Sequence, residues 1–195
     1  DFRYGARELP FALVLANSLS AVKSGEFAEG VRQSTTKSIA KSLSKSADRL
    51  IWILFPVSLL LLIVSGPVFG FVFDHRFGAA VPIFDIYLLL IIPRLIFPQV
   101  LVRGYHQTQI LTGSALVELV LNVGLSLLFL EWWGMAGIAA ATVVAFSVEK
   151  VLLVIYLKVF HQQAWTNYSN LGLWGVWLAV LVAAFAFKYG AFGLF

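Results

Sequence analysis

Five side chains able to carry charge or strong hydrogen bonds interrupt otherwise apolar runs: Arg94, Glu118, Asn122, Glu149 and Lys150. Ionisable groups are costly inside a bilayer and mark functional candidates when they occur there. A guanidinium fork matches phosphate oxygens, so Arg94 is a candidate for binding an anionic head group, with Asn122 and Lys150 beside it as substrate-binding candidates. Glu118 and Glu149 form a candidate charge network that sets the field at Arg94 or carries coupling H+ or Na+. The residues alone leave a second account open. In that account Arg94 pairs with Glu118 or Glu149, and the layer is a neutral buried network that fixes helix packing. Another set, Lys37, Lys41, Lys45 and Arg49, recurs every four residues as one ridge of a helix. Phe27, Val31, Ile39, Leu43 and Ala47 form an apolar ridge on the other side. Such a helix suits the membrane interface, with anionic lipid beneath the lysines.

Other chemistries find little support. The chain has no Cys, which excludes disulfides and thiolate metal sites. His75, His106 and His161 fall at three different loop ends, so spacing assembles neither a metal cluster nor a His-based catalytic set. Asp74 and Asp85 are scattered acids, and nothing resembles a nucleophile elbow or a phosphate-cradling loop. Asn167-Tyr168-Ser169 matches a glycosylation sequon by sequence, but the expected topology puts it inside. The chain is therefore expected not to be an enzyme and to need no cofactor, metal or nucleic acid.

The elements that must position these residues follow from composition. Apolar residues make up 60% and charged residues 12% of 195, with a mean hydropathy of +0.89. Soluble domains average about 25% charged residues, and 14 Lys and Arg with 10 Asp and Glu cannot coat a water-soluble globule of this size. A membrane-embedded, all-α, polytopic transmembrane helix bundle is expected. A span needs about 20 mainly apolar residues, and runs at about 50–73, 83–105, 110–131, 134–158 and 170–189 qualify. Residues 9–22 read as the end of a helix beginning near Tyr4. Backbone groups in lipid must bond internally, so helices are the expected element. Pro93 and Pro98 flank Arg94 and predict a bend there. The joints at 74–78, 106–108 and 131–134 are too short for anything but antiparallel hairpins. Placed on these spans, the five polar residues share one layer, within roughly 7 Å of depth in a ~30 Å core.

Orientation follows from the long polar stretch, which holds Lys23, Arg32, Lys37, Lys41, Lys45 and Arg49. Placing it inside also puts Arg103 and Lys158 inside, leaving Arg3, Arg7, Arg76 and Lys188 outside, as the positive-inside rule favours. The expected organisation is residues 1–22 as the end of a truncated transmembrane helix and 23–49 as a cytoplasmic amphipathic connector helix. Residues 50–158 then form a four-helix transmembrane bundle, and 159–195 a loop with a fifth full span. Location in the inner (plasma) membrane is expected. Because the chain opens at Asp1 and its one Met is Met135, it is expected to be a segment of a longer protein.

The order of several segments resembles a known family. Leu9-Pro10 leads to Asn17-Ser18-Leu19-Ser20 and the basic, Ser-rich loop. A span with Pro56 at its centre then ends in Gly66-Pro67-Val68-Phe69-Gly70-Phe71-Val72-Phe73. Asn122-Val123 follows, and then Gly134-Met135-Ala136-Gly137-Ile138-Ala139-Ala140-Ala141-Thr142. Across about residues 5–158 this resembles the C-terminal half of the polysaccharide and oligosaccharide flippases (O-antigen-type transporters) of the multidrug/oligosaccharidyl-lipid/polysaccharide exporter superfamily. The resemblance implies the second lobe of a two-lobed exporter fold whose partner is an N-terminal lobe of the same chain. It also implies alternating access and transport of an undecaprenyl-pyrophosphate-linked oligosaccharide for cell-envelope or lipopolysaccharide synthesis. A lipid II flippase or a drug/cation antiporter of the same superfamily is the alternative, and a non-transport assembly protein the further one. Arg94 and Glu118 are read from the residues and are not inherited from the family.

Overall fold

A computed structural model describes residues 9–72 and 80–191, and among them every regular element is helical. The helices are α1 (Pro10–Arg32), α2 (Thr36–Val72), α3 (Ala80–Leu88), α4 (Ile91–Arg94), α5 (Pro98–Gly104), α6 (Thr108–His161) and α7 (Leu171–Ala191), with a 3-10 turn at Trp165–Asn167. Thr36–Phe69, Thr108–His161 and Leu171–Gly190 are each long and apolar enough to cross a membrane. Ala80–Arg94 and Pro98–Gly104 together make a broken span bent by 47°. This is the polytopic all-α bundle that the composition predicts. The readings that rest on Tyr4, Arg3, Arg7 and the 74–78 joint lie outside the described residues.

The polar stretch is divided differently from the expected connector. No single helix covers 23–49: Lys23–Arg32 continues α1, and Thr36–Arg49 opens α2. Between them Gln33–Thr35 makes a tight reversal, with Ser34 at φ 58° and the Thr35 amide bonded to the Gly30 carbonyl at 2.9 Å. The reason is continuity. No proline separates Ala21 from Lys23 or Asp48 from Leu50, so each span simply runs on past the apolar core. A 37-residue helix is about 55 Å long, well beyond the ~30 Å hydrocarbon thickness. Lys23 ties the two extensions together, reaching Glu26 at 2.5 Å and Ser42 Oγ at 3.0 Å. The apolar ridge therefore meets protein: Phe27, Leu43 and Ala47 are buried in the core, while Lys37, Lys41, Lys45 and Arg49 remain outside it.

α6 is written as one 54-residue element, yet it is a hairpin. Gly134 leaves helical geometry at φ 59°, ψ −139°, a conformation that only glycine adopts readily. Three contacts record the fold-back: Gln107 with Tyr156, Ser114 with Glu149, and Asn122 with Thr142. Each pair is centred near residue 132, as antiparallel arms require. Gly137 completes the turn, because a Cβ there would collide with the Phe129 carbonyl. Close approach of small residues stabilises helix pairs where lipid provides no hydrophobic drive. Ala139 extends this packing to Ile83 and Ile86 of α3.

The main core gathers α1, α2, the broken span, the second arm of α6 and α7 around Phe27, Leu54, Phe55, Phe97, Leu101 and Leu153. Outward faces carry exposed Leu60, Ile63, Val120, Val159 and Phe187, consistent with lipid as their solvent.

Candidate functional site

The bend predicted at Pro93 and Pro98 is present: α4 stops at Arg94, Leu95–Phe97 are non-helical, and α5 restarts at Pro98. The break matters because it ends a helix inside the bundle and turns Arg94 toward α1 and α6. Proline also strips partners from upstream carbonyls. The break also frees the Ile92 carbonyl, because the Ile96 N–H turns to the Pro93 carbonyl at 3.3 Å, and the Trp174 indole donates to it at 3.0 Å. Gly104 then lets α5 lie close to α1, since a Cβ there would sit 2.6 Å from the Phe27 ring. Arg103 is thereby placed on the same side as Arg94.

Between these elements lies a cavity of about 470 Å³. α1 contributes Leu13, Ala16, Asn17 and Ser20 to its wall. The broken span contributes Arg94, Gln99 and Arg103, and α6 contributes Leu111, Phe146, Glu149 and Lys150. Three cations therefore face one carboxylate. Lys150 Nζ lies 2.8 Å from Glu149 Oε2, and both side chains are buried, at 7% and 9% exposure. Consecutive helical residues do not normally face each other, so this pairing reflects a polar cavity on one side and apolar surroundings elsewhere. Ser114 Oγ donates to Glu149 Oε1 at 3.3 Å and holds the carboxylate from the opposite arm. The Phe146 ring lies beneath both cations, 5.3 Å from the Arg94 guanidinium carbon and 4.5 Å from Lys150 Nζ. A ring face attracts cations without neutralising them, so the Phe146 contact leaves the charge on both side chains.

Of the five residues singled out by sequence, Arg94, Glu149 and Lys150 come together here. Asn122 and Glu118 are not part of this wall. Asn122 donates to Thr142 Oγ1 at 3.4 Å and accepts from Ser126 Oγ at 3.1 Å, within the α6 hairpin. Glu118 stands one helical turn beyond Ser114 on the first arm of that hairpin. Lys37, Lys41, Lys45 and Arg49 lie on α2, which contributes no residue to this wall.

Sequence reasoning missed Asn17, Gln99 and Arg103 as cavity residues. Arg103 was legible only as an inner-side charge, and the glutamine and asparagine carry no signal that spacing alone reveals. It also missed a buried cluster elsewhere. Asp85 is fully buried and accepts from Lys188 Nζ and Tyr189 OH, each at 2.6 Å. Lys188 donates further to Ser65 Oγ at 2.6 Å and to the Leu62 carbonyl at 2.7 Å, joining α2, α3 and α7. Asp85, Lys188 and Tyr189 each lie close to a span end in sequence, so depth gave no reason to connect them. Among the described residues no group of three or more His, Cys, Asp or Glu side chains is arranged to hold a metal ion.

A family model described as "Lipid II flippase MurJ" matches residues 3–194. No curated protein and no solved structure matches the chain. The family match favours the lipid II alternative over the O-antigen-type polysaccharide flippase that the sequence resemblance implied. The two readings share the exporter superfamily, and the quoted segments carry no information on the glycan. Almost the whole chain is matched, its helices can span a bilayer, and a charged cavity sits among them: the chain belongs to the lipid II flippase MurJ family.

Proposed function

We propose that this chain forms part of a flippase of the inner membrane that moves a lipid-linked cell-wall precursor, lipid II, by alternating access. The observation that carries the reading is the cavity in which Arg94, Arg103 and Lys150 face Glu149 among apolar helices. A lipid-linked precursor presents a pyrophosphate that must cross the apolar interior while its tail stays in the bilayer. Passage through a purely apolar tunnel is prohibitive, because an isolated ion in a low-dielectric medium loses its hydration. A hydrated pocket lined by cationic side chains substitutes for water, and the guanidinium forks of Arg94 and Arg103 suit phosphate oxygens. Lys150, held over Phe146 and next to Glu149, adds charge that the substrate can share.

Residues 23–49 lie on the cytoplasmic side in this reading, as the distribution of Lys and Arg favours. Of the two acids considered for coupling to H+ or Na+, Glu149 is at the cavity and is the better candidate. Asn122 serves the hairpin. An N-terminal lobe of the same protein closes the other side of the pathway, and rocking of the two lobes exposes the cavity alternately.

The test uses the full-length protein in proteoliposomes loaded with lipid II or, in parallel, with an undecaprenyl-pyrophosphate oligosaccharide. Arg94→Ala is expected to abolish lipid II translocation while membrane insertion stays intact. Wild-type flipping by that variant would remove Arg94 from the mechanism, and transport of the oligosaccharide in preference to lipid II would return the assignment to the polysaccharide exporters.

A further inference from the structure

A second cavity, of about 650 Å³, lies against the start of α2, where the helix extends past the apolar core. Lys37 and Lys41 contribute from one turn of α2 and its next, with Ser44 and Asp48 behind them. The loop before α7 closes it with Asn167, Ser169 and Asn170. Two cations, one carboxylate and several hydroxyl and amide groups make this a polar pocket with a net positive charge. Ser169 is only 4% exposed, and its Oγ has no hydrogen-bond partner among the described residues. A buried hydroxyl left without a partner is unfavourable, and here it belongs to the wall of a pocket able to hold one. α7 starts at the pocket, where Leu171 and Gly172 line the wall and Asn170 Oδ1 caps the Leu173 N–H at 3.2 Å.

This pocket has an apolar neighbour. At Gly172 it adjoins an apolar groove of about 460 Å³, which Gly172 also lines, between Trp52 of α2 and Leu173, Val176, Trp177 and Val180 of α7. Trp52 packs edge-on against Trp177 with ring centroids 5.7 Å apart, and Trp177 stacks on Phe55 at 5.9 Å, so the groove has a fixed aromatic wall. Val176 is 63% exposed along it. A pocket with two lysines at the charged end of the bundle thus shares Gly172 with an open apolar groove along α7.

We propose that the paired pocket and groove bind one anionic glycerophospholipid of the phosphatidylglycerol type, with its head in the Lys37–Lys41–Ser169 pocket and an acyl chain along Trp52, Val176 and Trp177. Lysine ammonium groups meet the phosphate as point charges. The Asp48 carboxylate and the Asn167 side-chain oxygen accept from the free hydroxyls of the head, which a choline head cannot supply. The site is separate from the Arg94 cavity and does not depend on how that cavity is used. It gives α7 a lipid wedge against α2.

The experiment is native mass spectrometry of the full-length protein titrated with phosphatidylglycerol and, separately, phosphatidylcholine. Wild-type protein is expected to retain one phosphatidylglycerol in preference to phosphatidylcholine. Lys37→Ala/Lys41→Ala is expected to weaken that retention about thirtyfold, the loss anticipated for two lysines near an anionic head group. Lys45→Ala/Arg49→Ala removes equal charge from the same ridge outside the pocket and is expected to change retention less than about threefold. Equal losses in the two double variants would mean diffuse attraction and would overturn the site. So would equal retention of the two lipids by wild-type protein. Val176→Trp, at an exposed position, obstructs the groove without touching the pocket and should also release the lipid; undiminished binding in that variant would sink the proposal.

Discussion

Lys188 Nζ and Asp85 Oδ2 lie 2.6 Å apart although 103 positions separate them in sequence. Asp85 is fully buried and Lys188 partly so, and the contact joins the last helix to the broken span while Ser65 and Leu62 hold the ammonium from α2. Removing one member of a buried ion pair leaves the other uncompensated, at a cost of about 3 kcal/mol or more. Asp85→Ala is therefore expected to lower thermal stability in detergent sharply. Adding Lys188→Met should recover most of the loss, because two apolar side chains tolerate the site better than one stranded charge. A double-mutant cycle that finds the two substitutions additive would show that the contact is energetically idle.

The Glu149–Lys150 pair separates stability from transport. Glu149→Gln leaves Lys150 beside Arg94 and Arg103 without its carboxylate, and a loss of about 2–3 kcal/mol is expected, at the low end for a buried pair because the cavity is polar. Glu149→Gln/Lys150→Gln should restore much of the unfolding temperature yet still flip lipid II poorly. Recovery of both properties together would reduce the pair to packing.

Trp174 has a narrower role. Its indole N–H satisfies the Ile92 carbonyl in the segment where proline disrupts the helical ladder. Trp174→Phe keeps an aromatic ring against Trp165, whose centroid is 5.3 Å away, and deletes only the donor. An unsatisfied buried carbonyl costs about 1–3 kcal/mol, so the stability measured by thermal unfolding should fall by that amount. An unchanged midpoint would mean that water or the backbone replaces the indole.

Two glycines of α6 should respond in opposite ways. Gly137→Ala forces a Cβ onto the Phe129 carbonyl and is expected to cost about 1–3 kcal/mol through local overpacking. At Gly113 a methyl group would meet nothing within 4 Å. Gly113→Ala should therefore be neutral or stabilising by up to about 1 kcal/mol through a stiffer helix. Thermal unfolding of the two variants side by side checks the contrast, and similar values would remove the hairpin contact as the cause.

Much of the fold was legible because hydropathy and proline act locally. The apolar runs marked the spans at 50–73 and 170–189, and Pro93 with Pro98 marked the bend. The short joint at 131–134 pointed to the hairpin that Gly134 makes. The connector was misdivided for a physical reason. An amphipathic ridge reports which residues need an apolar partner but not whether lipid or protein supplies it. Phe27 and Leu43 found protein, so the stretch became the ends of two long helices.

The candidate site divides in the same way. Arg94, Glu149 and Lys150 were recognisable one at a time, because a charge within an apolar run stands out against its neighbours. Depth along a helix, however, says nothing about direction around it. Glu118 and Asn122 were expected at the same depth but do not line the cavity, whereas Arg103 joins it from a helix end. Sequence by itself determined that the chain lives in a membrane, that its helices reverse sharply, and that a few charges sit where water is scarce. Only the tertiary structure decided which of those charges face one another. Azimuth and inter-helix distance are set by packing contacts such as Gly104 on Phe27, made between residues that sequence places far apart.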